Sequence, residues 1–331
     1  MRICIVGAGA IGGYVGARLA LAGEHVTLIA RGAHLAAIQQ HGLALETAGQ
    51  REVAWPALAT SDMAAAGTHD LVIAAVKAQS LPALAPAMRA LYHENTIVLP
   101  MQNGIPWWYF HKHGGQYEGR RVAAVDPDGI LVATIEPERV IGCVVYPAAE
   151  LTGPGIVRHI ESNRFALGEL DGTKTARLQA IAQIFNRAGL KAPIRTRIRN
   201  ELWVKLWGNL AFNPISALTR ATLAQIGTYP PTRALVTATM AEAQSIAAQL
   251  GIEFGITIEQ RIAGATDVGA HKTSMLQDIE AGRTTEIDAL VGAVAELGRL
   301  VGVATPHIDA LYACVKLLEQ QVAAQRATTN S

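Results

Sequence analysis

The feature that most constrains this chain lies within its first dozen residues, where Gly7-Ala8-Gly9-Ala10-Ile11-Gly12 forms a G-x-G-x-x-G pattern. Residues 2–6 ahead of it read as a short buried strand. Residues 10–22 carry small and apolar side chains at helical spacing, and 25–30 read as a second strand. Strand, glycine turn, helix and strand in that order make a βαβ unit, the opening of a doubly wound parallel sheet. Each glycine answers a separate steric demand. The first permits the tight turn, the second lets backbone approach a pyrophosphate, and the third lets the helix pack on the strand. The helix N-terminus then offers unpaired N–H groups and a partial positive charge to the phosphates. A glycine turn with no nucleotide is the plain alternative, and the strand before it and the helix after it weigh against that.

The residue after the second strand selects the nucleotide. An NAD enzyme usually places Asp or Glu there against the ribose 2′-hydroxyl. This chain reads Ile29-Ala30-Arg31 instead. An arginine can pair a 2′-phosphate through charge-assisted hydrogen bonds, each worth about 1.5–3 kcal/mol. NADPH/NADP+ is therefore the expected cofactor; a surface arginine capping the strand is the alternative. Apolar runs at 71–76 and 96–101, separated by helix-like sequence at 81–91, continue the alternation. Ligands of open α/β sheets bind beyond the carboxyl ends of the strands, which singles out Lys77 and Asn103. On position alone a loop lysine and a turn-forming asparagine explain them equally well. Residues 140–167 hold β-rich pieces broken by Gly153-Pro154-Gly155, predicting a hairpin on the far edge of the sheet, and 175–188 read as an amphipathic helix.

Beyond residue 194 the texture changes, with long helical patterns at 199–211, 233–250 and 284–301. A chain of 331 residues exceeds the usual growth of one core. The expected fold class is α/β: a Rossmann-type doubly wound sheet over 1–195, followed by an all-α domain over 196–331. The tail from Gln320 to Ser331 loses its apolar pattern and is expected to fray. With 50% hydrophobic and 17% charged residues the chain reads as an ordinary soluble globular protein. Its formal charge of +1 lacks the basic excess of a nucleic-acid-binding domain. No run approaches the roughly 18 apolar residues of a membrane span. Cys4, Cys143 and Cys314 are too scattered for a disulfide framework or a zinc site, and His111 and His113 have no further ligands at metal spacing. Trp107 and Trp108 read as a packed lid or core corner. The expectation is a cytoplasmic enzyme acting on a small molecule, with no nucleic acid, membrane or metal; a homodimer is left open.

The chemistry is written on residues 201–213, where Lys205, Asn209 and Asn213 interrupt an apolar helical run. Four residues advance a helix by about 400°, so these three fall within a sector of about 80°. A polar stripe this narrow on so apolar a helix must meet something that satisfies it. Bound substrate is one candidate; solvent or buried water is the other. A ketone accepting hydride develops negative charge on its oxygen and takes a proton there, and an ammonium can meet both needs. Lys205 is the expected general acid, with Asn209 and Asn213 orienting the substrate. Pro214 is expected to end or kink the helix. The patches 272–278 and 284–288, which include Ser274 and Glu286, resemble ordinary helix starts when taken alone.

Together these blocks resemble the ketopantoate reductase family over nearly the whole chain. Gly7 to Gly12 with Arg31 is similar to the family's NADPH site, and Gln102-Asn103-Gly104 to its strand-end asparagine motif. Glu201-Leu-Trp-Val-Lys205 through Asn209 and Asn213-Pro214 is similar to the helix bearing its proton-donor lysine and two substrate asparagines. Ser274-Met-Leu-Gln-Asp278 with Thr285-Glu-Ile-Asp288 is similar to its C-terminal signature. The resemblance implies that Lys77 and Asn103 contact cofactor or substrate, that Ser274 binds the substrate carboxylate, and that Glu286 approaches the cofactor ribose. It matches Glu242 less closely to a further functional acid. It further implies NADPH-dependent reduction of 2-dehydropantoate to (R)-pantoate, a step towards pantothenate and coenzyme A. Relatives of the family reduce other 2-keto acids, and a regulatory NADPH sensor is the reading from a different class. The proton donor and its asparagine stripe argue against a sensor.

Overall fold

The computed structural model describes residues 1–329 and divides into two compact units. The first comprises Met1–Gln102, Trp107–Arg121 and Asp128–Ile198. The second comprises Asn103–Pro106, Val122–Pro127 and the residues from Arg199 onward. The boundary expected at Arg195 thus falls just past Ile198, and two short loops of the N-terminal stretch pack with the helical unit. Specific bonds hold them there. The Ile105 N–H donates to the Ala289 carbonyl at 2.9 Å. The N–H groups of Ala123 and Ala124 donate to the Glu296 carboxylate at 2.8 and 2.7 Å.

The first unit opens with β1 (Arg2–Val6), α1 (Ala10–Leu21), β2 (His25–Ile29), α2 (Gly32–His41), β3 (Leu43–Thr47), β4 (Gln50–Ala54) and β5 (Leu58–Thr60). It continues through α3 (Met63–Ala66), β6 (His69–Ala74), α4 (Leu81–Met88) and β7 (Tyr92–Pro100). Strands β5-β2-β1-β6-β7 form a five-stranded, wholly parallel sheet with β1 at its centre. Residues 3–6 of β1 are completely buried, as befits a strand covered on both faces. The predicted strand at 71–76 ends two residues early, at Ala74, which leaves Ala75 and Val76 to lead into Lys77.

After α5 (Ile130–Thr134) come β8 (Gly142–Val145), β9 (Ala148–Gly153), β10 (Ile156–Glu161), β11 (Phe165–Gly168) and α6 (Ala176–Arg187). The Gly153-Pro154-Gly155 turn does close a hairpin, β9–β10, but not on the edge of the main sheet. β10 pairs in parallel with β3, building a second sheet in the order β4-β3-β10-β9. Gly13 on α1 permits that approach, since a Cβ there would meet Val157 Cγ2 at 2.7 Å.

The second unit consists of α7 (Ile198–Thr219), α8 (Leu223–Thr228), α9 (Pro230–Gln249), α10 (Ile258–Asp267), α11 (Ser274–Glu280), α12 (Ala293–Val301) and α13 (Pro306–Thr329), with the first residue of α7 assigned to the first unit. The expected helix at 284–301 is broken in character, because Asp288–Gly292 form a π-helical turn before α12. Of the two outcomes expected at Pro214, an end to the helix is not what occurs: α7 runs on to Thr219. Burial past the proline explains this: Ile215, Ser216 and Ala217 are all enclosed, so packing outweighs the missing N–H. The tail also departs from expectation. Helix α13 persists to Thr329, tacked down by Arg326 donating to the Ala281 carbonyl at 2.7 Å; Asn330 and Ser331 lie outside the described residues. No described helix is long and apolar enough to cross a membrane.

Candidate active site

In the first unit the glycine turn sits at the carboxyl end of the central strand. The Gly7 and Ala8 N–H groups both donate to the Ile29 carbonyl, at 3.1 and 3.0 Å, which binds the turn to the end of β2. Gly7 has φ +97°, a backbone only glycine adopts readily, and a Cβ there would lie 2.5 Å from Val76 Cγ1. A Cβ on Gly12 would meet the Gly7 carbonyl oxygen at 2.1 Å and Ala75 Cβ at 2.8 Å. Gly9 differs from both, because a Cβ there would meet nothing within 4 Å. Two glycines are thus required by the protein's own packing, and the middle one faces open space where a ligand can approach. The first bond of the α1 ladder runs from Gly13 N–H to the Gly9 carbonyl at 2.7 Å, leaving the amides of Ala10, Ile11 and Gly12 outside it. This donor set suits a pyrophosphate, with Ala8, Ala10 and Ile11 contributing backbone only.

Arg31 and Lys77 follow the two strands that flank β1, so the parallel sheet places them on either side of the glycine turn. Arg31 is the exposed N-cap of α2 and makes no side-chain hydrogen bond or ion pair among the described residues. Lys77, half-buried, is the N-cap of a short 3₁₀ turn, Ala78–Ser80. Gln102, which the sequence placed in the strand-end motif without a role of its own, fixes the stretch that leads into Lys77. Its Nε2 donates to the carbonyls of Ala74 and Val76 at 2.7 and 2.9 Å.

In the second unit three of the expected residues meet. Lys205 Nζ donates to Asn103 Oδ1 at 2.6 Å, and Asn103 Nδ2 donates to Glu286 Oε2 at 2.8 Å. An ammonium can only donate and a carboxylate only accepts, so its two neighbours fix the orientation of the Asn103 amide. The backbone supports the same arrangement. Gly104 has φ +88°, and a Cβ there would strike the Ala289 carbonyl oxygen at 2.3 Å, so only glycine lets this segment lie on the π-helical turn. That turn starts two residues after Glu286, and π turns often mark functional sites.

The polar stripe is partly enclosed. Lys205 and Asn209 are half-buried, Asn213 is only 5% exposed, and the residues between them on α7 are buried. Ser274 is exposed as the first residue of α11, whose N-cap Thr273 accepts the Leu276 N–H at 3.2 Å. Glu242, matched to a functional acid, is committed elsewhere. Its carboxylate accepts the N–H groups of His307 and Ile308, both at 3.0 Å, and so caps the first turn of α13.

The comparisons with known proteins agree with one another. The family model described as ketopantoate reductase PanE/ApbA matches residues 3–172, and its C-terminal counterpart matches residues 197–319. A 2-dehydropantoate 2-reductase of Mesorhizobium japonicum is 53% identical over 96% of this chain and 98% of its own length. A crystal structure from Ralstonia solanacearum MolK2, provisionally named a ketopantoate reductase, superimposes with a TM-score of 0.93 at 45% identity, covering 97% of this chain and 98% of that one. A D-mandelate dehydrogenase solved with NADH and anilino(oxo)acetate superimposes with a TM-score of 0.84 at 27% identity, covering 98% of this chain and all of that one. The chain belongs to the ketopantoate reductase family.

Proposed function

We propose that this member of the ketopantoate reductase family reduces 2-dehydropantoate to (R)-pantoate with NADPH. The observation that carries the reading is the Lys205–Asn103–Glu286 chain of hydrogen bonds, which holds an ammonium ready to donate beside a carboxylate-anchored amide. The 53% identity with a 2-dehydropantoate 2-reductase over nearly both full lengths supports the choice of substrate.

The glycine turn and the amides at the start of α1 would hold the pyrophosphate of NADPH, and Arg31 its 2′-phosphate. Lys77, pinned beside the turn, would add a further contact. The bound cofactor supplies the hydride for the ketone carbon. Lys205 supplies the proton to the ketone oxygen, and Asn103 keeps the ammonium aimed between turnovers. Asn209 and Asn213 orient the keto acid, and the Ser274 hydroxyl donates to its carboxylate. The Glu286 carboxylate fixes Asn103 by accepting its amide N–H.

A steady-state panel of 2-keto acids with NADPH tests the assignment. Ketopantoate is expected to give the highest kcat/KM. The panel includes an aromatic 2-keto acid because a D-mandelate dehydrogenase shares the fold. A win by tenfold or more for an aromatic or unbranched acid would replace ketopantoate as the substrate.

A further inference from the structure

The glycine turn is clamped from two sides, and only one clamp belongs to the βαβ unit itself. Strand β2 supplies the first, through the Ile29 carbonyl that accepts the Gly7 and Ala8 N–H groups. A side chain supplies the second. His34, in the first turn of α2, places Nε2 2.7 Å from the Ala8 carbonyl oxygen. Its other ring nitrogen, Nδ1, accepts the Gly155 N–H at 3.0 Å. A backbone N–H can only donate, so Nδ1 carries no proton and Nε2 carries it; the ring is the neutral Nε2–H tautomer, donating to Ala8. Burial lowers the imidazole pKa from its ordinary value, which favours that neutral form.

Three elements converge on this ring: the glycine turn, the start of α2 that also bears Arg31, and the β9–β10 turn of the second sheet. The last is seated closely, because Gly155 has φ +72° and a Cβ there would meet Ala37 Cβ at 2.9 Å. We propose that His34 is a positioning residue for the cofactor: it latches the Ala8 peptide to the Gly155 turn and so holds the pyrophosphate-facing amides in register with Arg31. The proposal rests on the NADPH reading given above. It assigns the second sheet a task in cofactor binding, namely to supply the fixed N–H against which the latch closes.

A glutamine side chain carries a donor and an acceptor on one planar group, so it can replace the imidazole at both ends. Leucine fills the space with neither. NADPH affinity is measured by nicotinamide fluorescence titration, and kcat at saturating NADPH, for the parent, His34→Leu and His34→Gln. His34→Ala stands in for the leucine variant should that one fail to fold. The expected result is a Kd for NADPH raised on the order of tenfold in His34→Leu, matching the net worth of one or two hydrogen bonds. Its kcat should change by less than about twofold, and His34→Gln should recover most of the lost affinity. A leucine or alanine variant that binds NADPH as tightly as the parent would overturn the latch alone. So would a loss that appears in kcat and not in Kd, or a glutamine variant no better than leucine. A parent protein that binds no dinucleotide would overturn the cofactor reading itself.

Discussion

Asn103 joins Lys205 to Glu286: it accepts from the lysine at 2.6 Å and donates to the carboxylate at 2.8 Å, across more than a hundred residues of sequence. The asparagine bonds to both of the others, so it helps to set where the ammonium points. Asn103→Ala should lower kcat by about 10–100-fold, the cost of losing hydrogen bonds to charged groups. Glu286→Gln keeps an acceptor for the Asn103 amide and should lower kcat less. Steady-state kinetics of both variants check the order; equal losses would mean that the Glu286 charge, rather than the geometry of Asn103, is what matters.

The glycine turn gives a prediction that separates packing from ligand approach. A Cβ at position 12 would sit 2.1 Å from a backbone carbonyl, while one at position 9 would meet nothing within 4 Å. Gly12→Ala should lower the Tm of the ligand-free protein by about 5 °C or more, because backbone or helix must shift. Gly9→Ala should leave that Tm nearly unchanged and still weaken NADPH binding. Thermal melts with and without NADPH decide the matter, and a stable Gly9→Ala variant that binds normally would move the pyrophosphate away from this turn.

Arg31 is exposed and has no side-chain partner among the described residues, so its removal should cost the fold little. Arg31→Ala should weaken NADPH about 10–100-fold and NADH far less, since the lost partner is the 2′-phosphate that NADH lacks. Parallel titrations with the two cofactors provide the test. Equal losses would place the 2′-phosphate contact on another residue.

What the sequence made legible was local. The βαβ opening could be read because its strand, turn and helix are contiguous, and the α7 stripe because Lys205, Asn209 and Asn213 recur every four residues. What escaped was set by distant packing. The pairing of β10 with β3 joins segments more than a hundred residues apart and leaves no periodic trace. Asn103 looks like a turn former because nothing near it announces the π-helical turn on which Gly104 rests. Pro214 is helical because its neighbours are buried, and the tail gains a distant tether where Arg326 donates to the Ala281 carbonyl. The structure spends Glu242 on capping α13, a use of a carboxylate that no spacing along the chain would disclose.

In the proposed mechanism the chemistry turns on Lys205, which lies in the second unit, whereas the glycine turn and Arg31 lie in the first. The most direct measurement is single-turnover hydride transfer by Lys205→Ala, followed by nicotinamide absorbance, with NADPH affinity determined on the same preparation. The predicted result is a transfer rate lower by about 10²–10⁴-fold, the usual contribution of a positioned general acid, with the NADPH Kd little changed. A near-normal transfer rate would contradict the assignment and remove Lys205 from the mechanism.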